Sequence, residues 1–243
     1  MKHPLPPLLA GRLYFLEGYT RLLGLIRPEL ARILRAAKPF TLMSARNLTM
    51  LHREGRRTLA AGVEGAFMEI GVHRGGSAAI LAELIKDQPD RHLHLFDRWG
   101  DLPEPTEQDG FRAEEYRRDR IADKLAELSN DPPFAATKHL IEEIVKFPTE
   151  RVHYHPGWYS ETLGQYSGGP IAFVSLDCDY YESVRLALDF IDRHAAAAAT
   201  IVADDYGFWP GVKTAIEEWA AQTRRKVRIQ PLSTGPAVLR LQG

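Results

Sequence analysis

The 243-residue chain has a single cysteine, no surplus of either charge and no uninterrupted apolar run of membrane-spanning length. One cysteine, Cys178, excludes an intramolecular disulfide and fits a reducing cytosol. It stands between Asp177 and Asp179, where neighbouring negative charge discourages a thiolate, so a catalytic thiol is disfavoured. Thirty-one Lys and Arg against 32 Asp and Glu leave a formal net charge of −1, and no global field draws in nucleic acid or an anionic membrane. The basic runs at Arg53 to Arg57 and Arg224 to Arg228 are interrupted and read as solvated faces. The apolar opening MKHPLPPLLAGRLYFLEGYTRLLGLI is broken by Arg12, Glu17 and Arg21, short of the roughly 20 residues a membrane span needs. It also lacks a small-residue cleavage site after a continuous apolar stretch. Residues 1–40 read as a helical appendage, an amphipathic helix pair that caps the domain or pairs with another subunit. These exclusions leave a cytoplasmic globular protein with a small-molecule partner.

What is present has an order. With 44% apolar residues the chain can bury one large core, and from residue 66 short β-rich runs alternate with helical patterns. Strands are expected at Ala66 to Ile70, His92 to Asp97, Arg151 to His155, Ile171 to Asp177 and Thr200 to Asp204. Apolar residues at three and four spacing predict helices over Ser77 to Ile85, Leu140 to Phe147, Ser183 to His194 and Val212 to Ala221. VRIQPL and AVLRLQ follow, joined by only Ser233-Thr-Gly-Pro236, a link that suits an antiparallel hairpin and cannot hold a crossover helix. The expectation is an α/β fold: a mostly parallel seven-stranded sheet, helices on both faces and a C-terminal hairpin, the strand inventory of class I methyltransferases. The domain would span residues 41–243. Residues 98–150 are too long for a simple crossover and are punctuated by Pro103, Pro105, Pro132 and Pro133, as in a lid that selects substrate. There, Trp99, Phe111 and Phe134 would line an apolar pocket or belong to ordinary core. The alanines at 195–199 read as a helix end and a tight join to the next strand.

The turn EIGVHRGGS, residues 69–77, invites a nucleotide but fits neither phosphate-binding pattern. G-x-G-x-x-G needs glycine where His73 stands, and a P-loop needs lysine where Ser77 stands. Glu69 adds negative charge that repels a phosphate and welcomes a sulfonium or amino group. Asp97 closes the second strand, where an acid commonly accepts hydrogen bonds from ribose hydroxyls. Together they fit S-adenosylmethionine. The plain alternative makes Glu69 a helix-capping carboxylate and Asp97 a turn residue.

Two apolar runs end in acids: SLDCDYYES, with Asp177 and Asp179, and ATIVADDYG, with Asp204 and Asp205. In a parallel sheet neighbouring strand ends lie side by side, so these acids would share one crevice. Facing carboxylates resist ionisation unless something positive neutralises them, and a hard divalent cation such as Mg²⁺ suits oxygen ligands. Asp179, two residues past Asp177, is placed to take a proton from an acceptor hydroxyl. The alternative is a set of solvated strand-end acids that cap the helices following them.

GVHRGGS, LFDRWGDLPEP, HPGWYSETL, SLDCDYYES and IVADDYGFWPGVKTAIEEW, in that order between about Phe40 and Trp219, resemble the successive motifs of the macrocin O-methyltransferase (TylF-type) family. The resemblance implies a metal- and S-adenosylmethionine-dependent enzyme that methylates a sugar hydroxyl on a glycosylated natural product, commonly as a homo-oligomer. It implies Asp177, Asp204 and Asp205 as metal ligands and Asp179 as the base. Glu69, Gly71, Ser77, Asp97 and Asp177 would surround the cofactor, with Gly157 and Trp158 near its adenine, and Met43 and Ser44 are further candidates for contact. The chain departs from the family pattern at Arg98 to Asp101, at Thr41 to Ser44 and in alanines where a glycine pair is usual before the fifth strand. The rival readings are a catechol-type methyltransferase acting on an aromatic diol and a non-catalytic protein that binds cofactor or carbohydrate.

Overall fold

The protein is seen here as a computed structural model, described over residues 20–118 and 132–242. Most of the expected opening helix pair, residues 1–19, and the stretch 119–131 of the expected lid lie outside the described residues. Residues 20–26 are helical, and no helix among the described residues is long and apolar enough to cross a membrane.

Seven strands form one sheet: β1 (Ala66–Ile70), β2 (Leu93–Asp97), β3 (Val152–Pro156), β4 (Ile171–Leu176), β5 (Ala195–Ala203), β6 (Lys226–Pro231) and β7 (Ala237–Gln242). Their order is β3-β2-β1-β4-β5-β7-β6. The first five run parallel, and β7 is antiparallel to both β5 and β6, as the short Ser233–Pro236 link requires. β1 and β4 are buried at every position, the signature of a parallel strand covered on both faces.

One face is covered by α1 (Pro28–Ala37), α2 (Ala45–Ala60) and α3 (Gly76–Ile85). Between β2 and β3 lie α4 (Phe111–Arg118) and α5 (Pro133–Lys138), and after β3 a short α6 (Tyr159–Thr162). The opposite face is covered by α7 (Tyr181–His194) and α8 (Pro210–Gln222). α7 forms because Val184, Ala187, Leu188 and Ile191 fall on one side at helical spacing, and all four are buried. α3 is apolar almost all round and correspondingly buried along its length.

Two local expectations are corrected. Alanines 195–199 belong to β5 rather than to a helix end: α7 stops at His194 and the chain turns extended at Ala195. Ala195 pairs with Ile171 and Thr200 with Phe173, so residues between them bulge out of the ladder. Over Leu140 to Phe147 the chain makes a π-helical turn, His139–Ile144, continuous with α5, and then leaves the helix through Lys146 at φ 58°.

Candidate active site

The crevice lies where strand order reverses, between the carboxyl ends of β1 and β4. Two crossings hold it together. The Gly71 N–H donates to Phe96 O at 2.9 Å, and the Asp177 N–H donates to Ile70 O at 2.8 Å. These bonds press the two loops so close that a Cβ on Gly71, at φ +93°, would sit 1.7 Å from Asp177 O. Only glycine fits there. A Cβ at Gly76 would likewise meet Thr41 at 2.4 Å, so the segment before α2 lies directly on the N-terminus of α3.

The cleft above these loops measures about 1250 Å³. Pockets for one small molecule run to roughly 300–1,000 Å³, so two ligands have room side by side. Its floor is acidic: Asp177, Asp179, Asp204 and Asp205 all line it. Asp177, Asp204 and Asp205 each bring a carboxylate oxygen within 4.8 Å of the others. Burial and then the neighbouring carboxylates hold the Asp177 and Asp205 carboxyls well above the usual range, and the two are hydrogen-bonded to each other. Burial pushes Asp204 up to about 6, opposed by a hydrogen bond from Asn47. Asp179 is pushed up to about 7 by burial, opposed by a hydrogen bond from the Trp209 side chain. Among the described residues no basic side chain offsets any of the four. A cluster of hard oxygen donors with uncompensated repulsion fits a divalent cation of the Mg²⁺ or Mn²⁺ type.

The other expected site residues are placed less uniformly. Ser77, Met43 and Ser44 line the cleft with Gly71. Glu69 is fully buried beneath it, accepts from Ser175 Oγ at 3.0 Å and has its second oxygen unpartnered. Burial pushes its carboxyl up to about 8, opposed by the Ser77 and Ser175 hydroxyls, so the site disfavours the anion expected from the sequence. Asp97 accepts from the Val72 and His73 N–H groups at 2.7 Å each and from Trp99 N–H at 2.5 Å. It therefore ties the first two loops together. Gly157 donates its N–H to Asp97 O at 3.0 Å, and the exposed Trp158 ring carries the Arg98 guanidinium 4.1 Å above its centre. Neither Gly157 nor Trp158 lines the acidic cleft. The Cys178 thiol is buried and raised well above its usual range by burial and the adjacent aspartates, so no reactive thiolate forms.

His73, Trp99 and Asp179, on the loops after β1, β2 and β4, all have left-handed backbones, with φ of 52°, 51° and 62°. Such conformations in non-glycine residues cost of order 1–3 kcal/mol and persist where surrounding contacts enforce them. Trp99 lines the cleft, donates from Nε1 to Thr137 Oγ1 at 3.1 Å and packs on Phe134. Phe111, by contrast, is 66% exposed and does not line it.

Sequence reasoning missed two residues. Asn47 lines the cleft and touches Asp204. Asp109, fully buried, accepts from Thr106 N at 2.7 Å, Thr106 Oγ1 at 2.9 Å and Tyr181 N at 2.6 Å. It thus caps α7 from 72 residues away and joins the β2–β3 connection to the turn bearing Asp179. No local pattern marks a cap supplied from so far along the chain.

A sequence model of the macrocin-O-methyltransferase (TylF) family matches residues 35–234. The chain belongs to that family. Demethyldecarbamoylnovobiocin O-methyltransferase of Streptomyces niveus is 25% identical to this O-methyltransferase over 191 residues, 76% of this chain and 70% of the relative. The 8-demethyl-8-(2,3-dimethoxy-alpha-L-rhamnosyl)-tetracenomycin-C 4'-O-methyltransferase of Streptomyces olivaceus is 27% identical over 192 residues, 78% and 68% of the two chains. Among solved structures, the O-methyltransferase NovP superposes with a TM-score of 0.69 at 20% identity over 84% of this chain and 83% of that one. Calicheamicin methyltransferase CalS11 gives 0.62 at 20% identity over 98% and 94%. The fold of this methyltransferase is thus that of other O-methyltransferases.

Proposed function

We propose that this methyltransferase moves the methyl group of S-adenosylmethionine to a sugar hydroxyl of a glycosylated small molecule, with a divalent cation held by Asp177, Asp204 and Asp205. The observation that carries this reading is the uncompensated carboxylate triad, within 4.8 Å, on the floor of a cleft roomy enough for two ligands. One relative supports the acceptor class, since its name specifies methylation of a rhamnosyl-bearing compound. When bound, the cofactor supplies an electrophilic methyl group and the cation supplies Lewis-acid stabilisation of negative charge.

The chain's residues supply position and proton transfer. Gly71 and Ser77 would offer backbone and hydroxyl to the cofactor's amino acid end, over a Glu69 whose burial disfavours its anion. Asp97 orders the loops on which the ribose would rest, and Gly157 and Trp158 serve its adenine side. Asp179, near its own titration midpoint at neutral pH, accepts the proton that the acceptor hydroxyl gives up as the methyl group is transferred. Of the expected lid, residues 98–150, the described residues Trp99, Tyr116 and Arg117 line the cleft and would meet the acceptor.

The test is methyl transfer to demethyldecarbamoylnovobiocin and to rhamnosylated acceptors, before and after chelation and after Mg²⁺ or Mn²⁺ is restored. Product that disappears on chelation and returns with the ion is the expected result. Equal rates in chelator would remove the cation from the reading. Transfer confined to catechols would replace the sugar with an aromatic diol, and tight cofactor binding without turnover would make the chain a binding protein.

A further inference from the structure

Asn47 is a poor choice for the first turn of a helix unless its side chain is needed elsewhere. Ser44 caps α2, its Oγ accepting from the Asn47 N–H at 3.1 Å. Asn47 then stands at the third helical position, where a Glu or Gln would reach back to complete the cap. Its amide reaches outward instead. Nδ2 donates to Asp204 Oδ1 at 3.3 Å across 157 residues of sequence, and no other side chain among the described residues donates to Asp204. Asn47 is 9% exposed at the wall of the cleft, and its Oδ1 is buried with no donor from any described residue. A buried amide with one arm on a carboxylate and the other without a donor costs stability that packing alone does not explain.

The helix beneath it is firmly mounted. Glu54, two turns on and 1% exposed, accepts from Arg53 and Arg57 at 2.9 Å each and from Arg240 of β7 at 2.6 Å. α2 is therefore fastened to the sheet beside β5, the strand that leads into Asp204. The amide approaches the carboxylate from a fixed base.

We propose that Asn47 is a positioning residue for the acidic cluster, its amide holding Asp204 in the orientation that lets three carboxylates share one divalent cation. The inference rests on the cation reading above. Partners that orient ligating carboxylates from behind typically change metal affinity 10–100-fold when removed.

Direct binding of Mn²⁺, followed by the electron paramagnetic resonance signal of the free ion, tests this in the full chain without cofactor or acceptor. Asn47→Leu keeps the branched shape of the side chain and removes the donor, and Mn²⁺ affinity is expected to fall about 10- to 100-fold. Ser44→Ala loosens the same helix end but leaves the amide in place; it lowers the melting temperature and retains wild-type affinity. If Asn47→Leu does not fold, Asn47→Ala carries the same expectation. Wild-type affinity in the Asn47 variant overturns the inference and leaves the cation reading standing. Equal losses in the Asn47 and Ser44 variants also overturn it, because helix integrity alone then accounts for the effect. Failure of the wild-type protein to bind Mn²⁺ overturns both.

Discussion

Four carboxylates crowd the ends of β4 and β5, while four imidazoles run along the paired strands β2 and β3, and the two clusters treat unwelcome charge in opposite ways. His92 Nδ1 and His153 Nε2 share a hydrogen bond at 2.9 Å, and His94 Nδ1 and His155 Nε2 share one at 3.1 Å. The rings of each pair are stacked within 23° of parallel, and Phe96 stacks on His155 at 4.0 Å. Burial, then neighbouring histidines, lowers His94 to about 3 and His155 to about 4, so both rings are neutral and each satisfies the other. The aspartates are also pushed towards neutrality, and among the described residues they have only the hydrogen bond between Asp177 and Asp205 and single donors from Asn47 to Asp204 and from Trp209 to Asp179, with no basic side chain to offset their charge. A cluster that completes itself is architecture. One that stays frustrated is waiting for a ligand.

The largest expected effect separates the two ends by activity. Asp177→Ala should cost about 10³-fold or more in methyl transfer, in keeping with the several kcal/mol that charge stabilisation at such a site supplies. His94→Leu should leave turnover near its starting level when both are assayed on the same acceptor.

Stability should then move in opposite directions. Removing one imidazole leaves its partner buried and unpaired, so His94→Leu should lose about 1–3 kcal/mol, whereas the pair His94→Leu with His155→Phe should recover much of it. Asp205→Asn removes repulsion, and the metal-free protein should gain about 1 kcal/mol, or about 2–4 °C in melting temperature for a chain of this size. A loss of stability in metal-free Asp205→Asn would contradict the picture of a strained acidic site.

The pH dependence sharpens the contrast. The lowered imidazoles contribute stability that is complete above the unfolded value of 6.5 and is lost as pH falls below it, because the unfolded chain takes up protons first. The raised carboxyls act the other way. Asp179 at about 7 and Glu69 at about 8 lie above their unfolded values of 3.8 and 4.5, so the stability they contribute at low pH is lost as pH rises through the folded values. Between about pH 6.5 and 8.5 only the carboxyl contribution changes. Thermal melts of the metal-free protein should fall across that window. At pH 8, Mg²⁺ at 100 times its dissociation constant should restore about 2.7 kcal/mol, and much less at pH 5.5, where protons compete. The smallest effect belongs to Cys178→Ala: with its thiol buried and un-ionised, the methyl-transfer rate should be unchanged.

Much of the fold could be read from one dimension. Apolar runs such as Ile171 to Leu176 are unbroken because both sheet faces are covered, and the short Ser233–Pro236 link leaves only an antiparallel return. The acidic floor was legible for a related reason: Asp177 and Asp204 each follow an apolar run, and adjacent parallel strands end on the same side. The alanines before Thr200 were misread because alanine has no strong strand preference of its own. Pairing of Ala195 with Ile171 and of Thr200 with Phe173 on β4 drew the run into β5, with a bulge between. Glu69 was read as an anion, since a sequence carries no record of how deeply a carboxyl is buried.

Strand and helix periods, strand-end acids and glycine spacing are properties of neighbours along the chain, so the residue order alone established the sheet and the crevice at its switch point. The reach of Asn47 to Asp204, the cap that Asp109 lends to Tyr181, the pairing of the histidines and the burial that raises the Glu69 carboxyl needed folding to establish them. These depend on distances across the core and on exclusion of water, neither of which exists until the chain has packed.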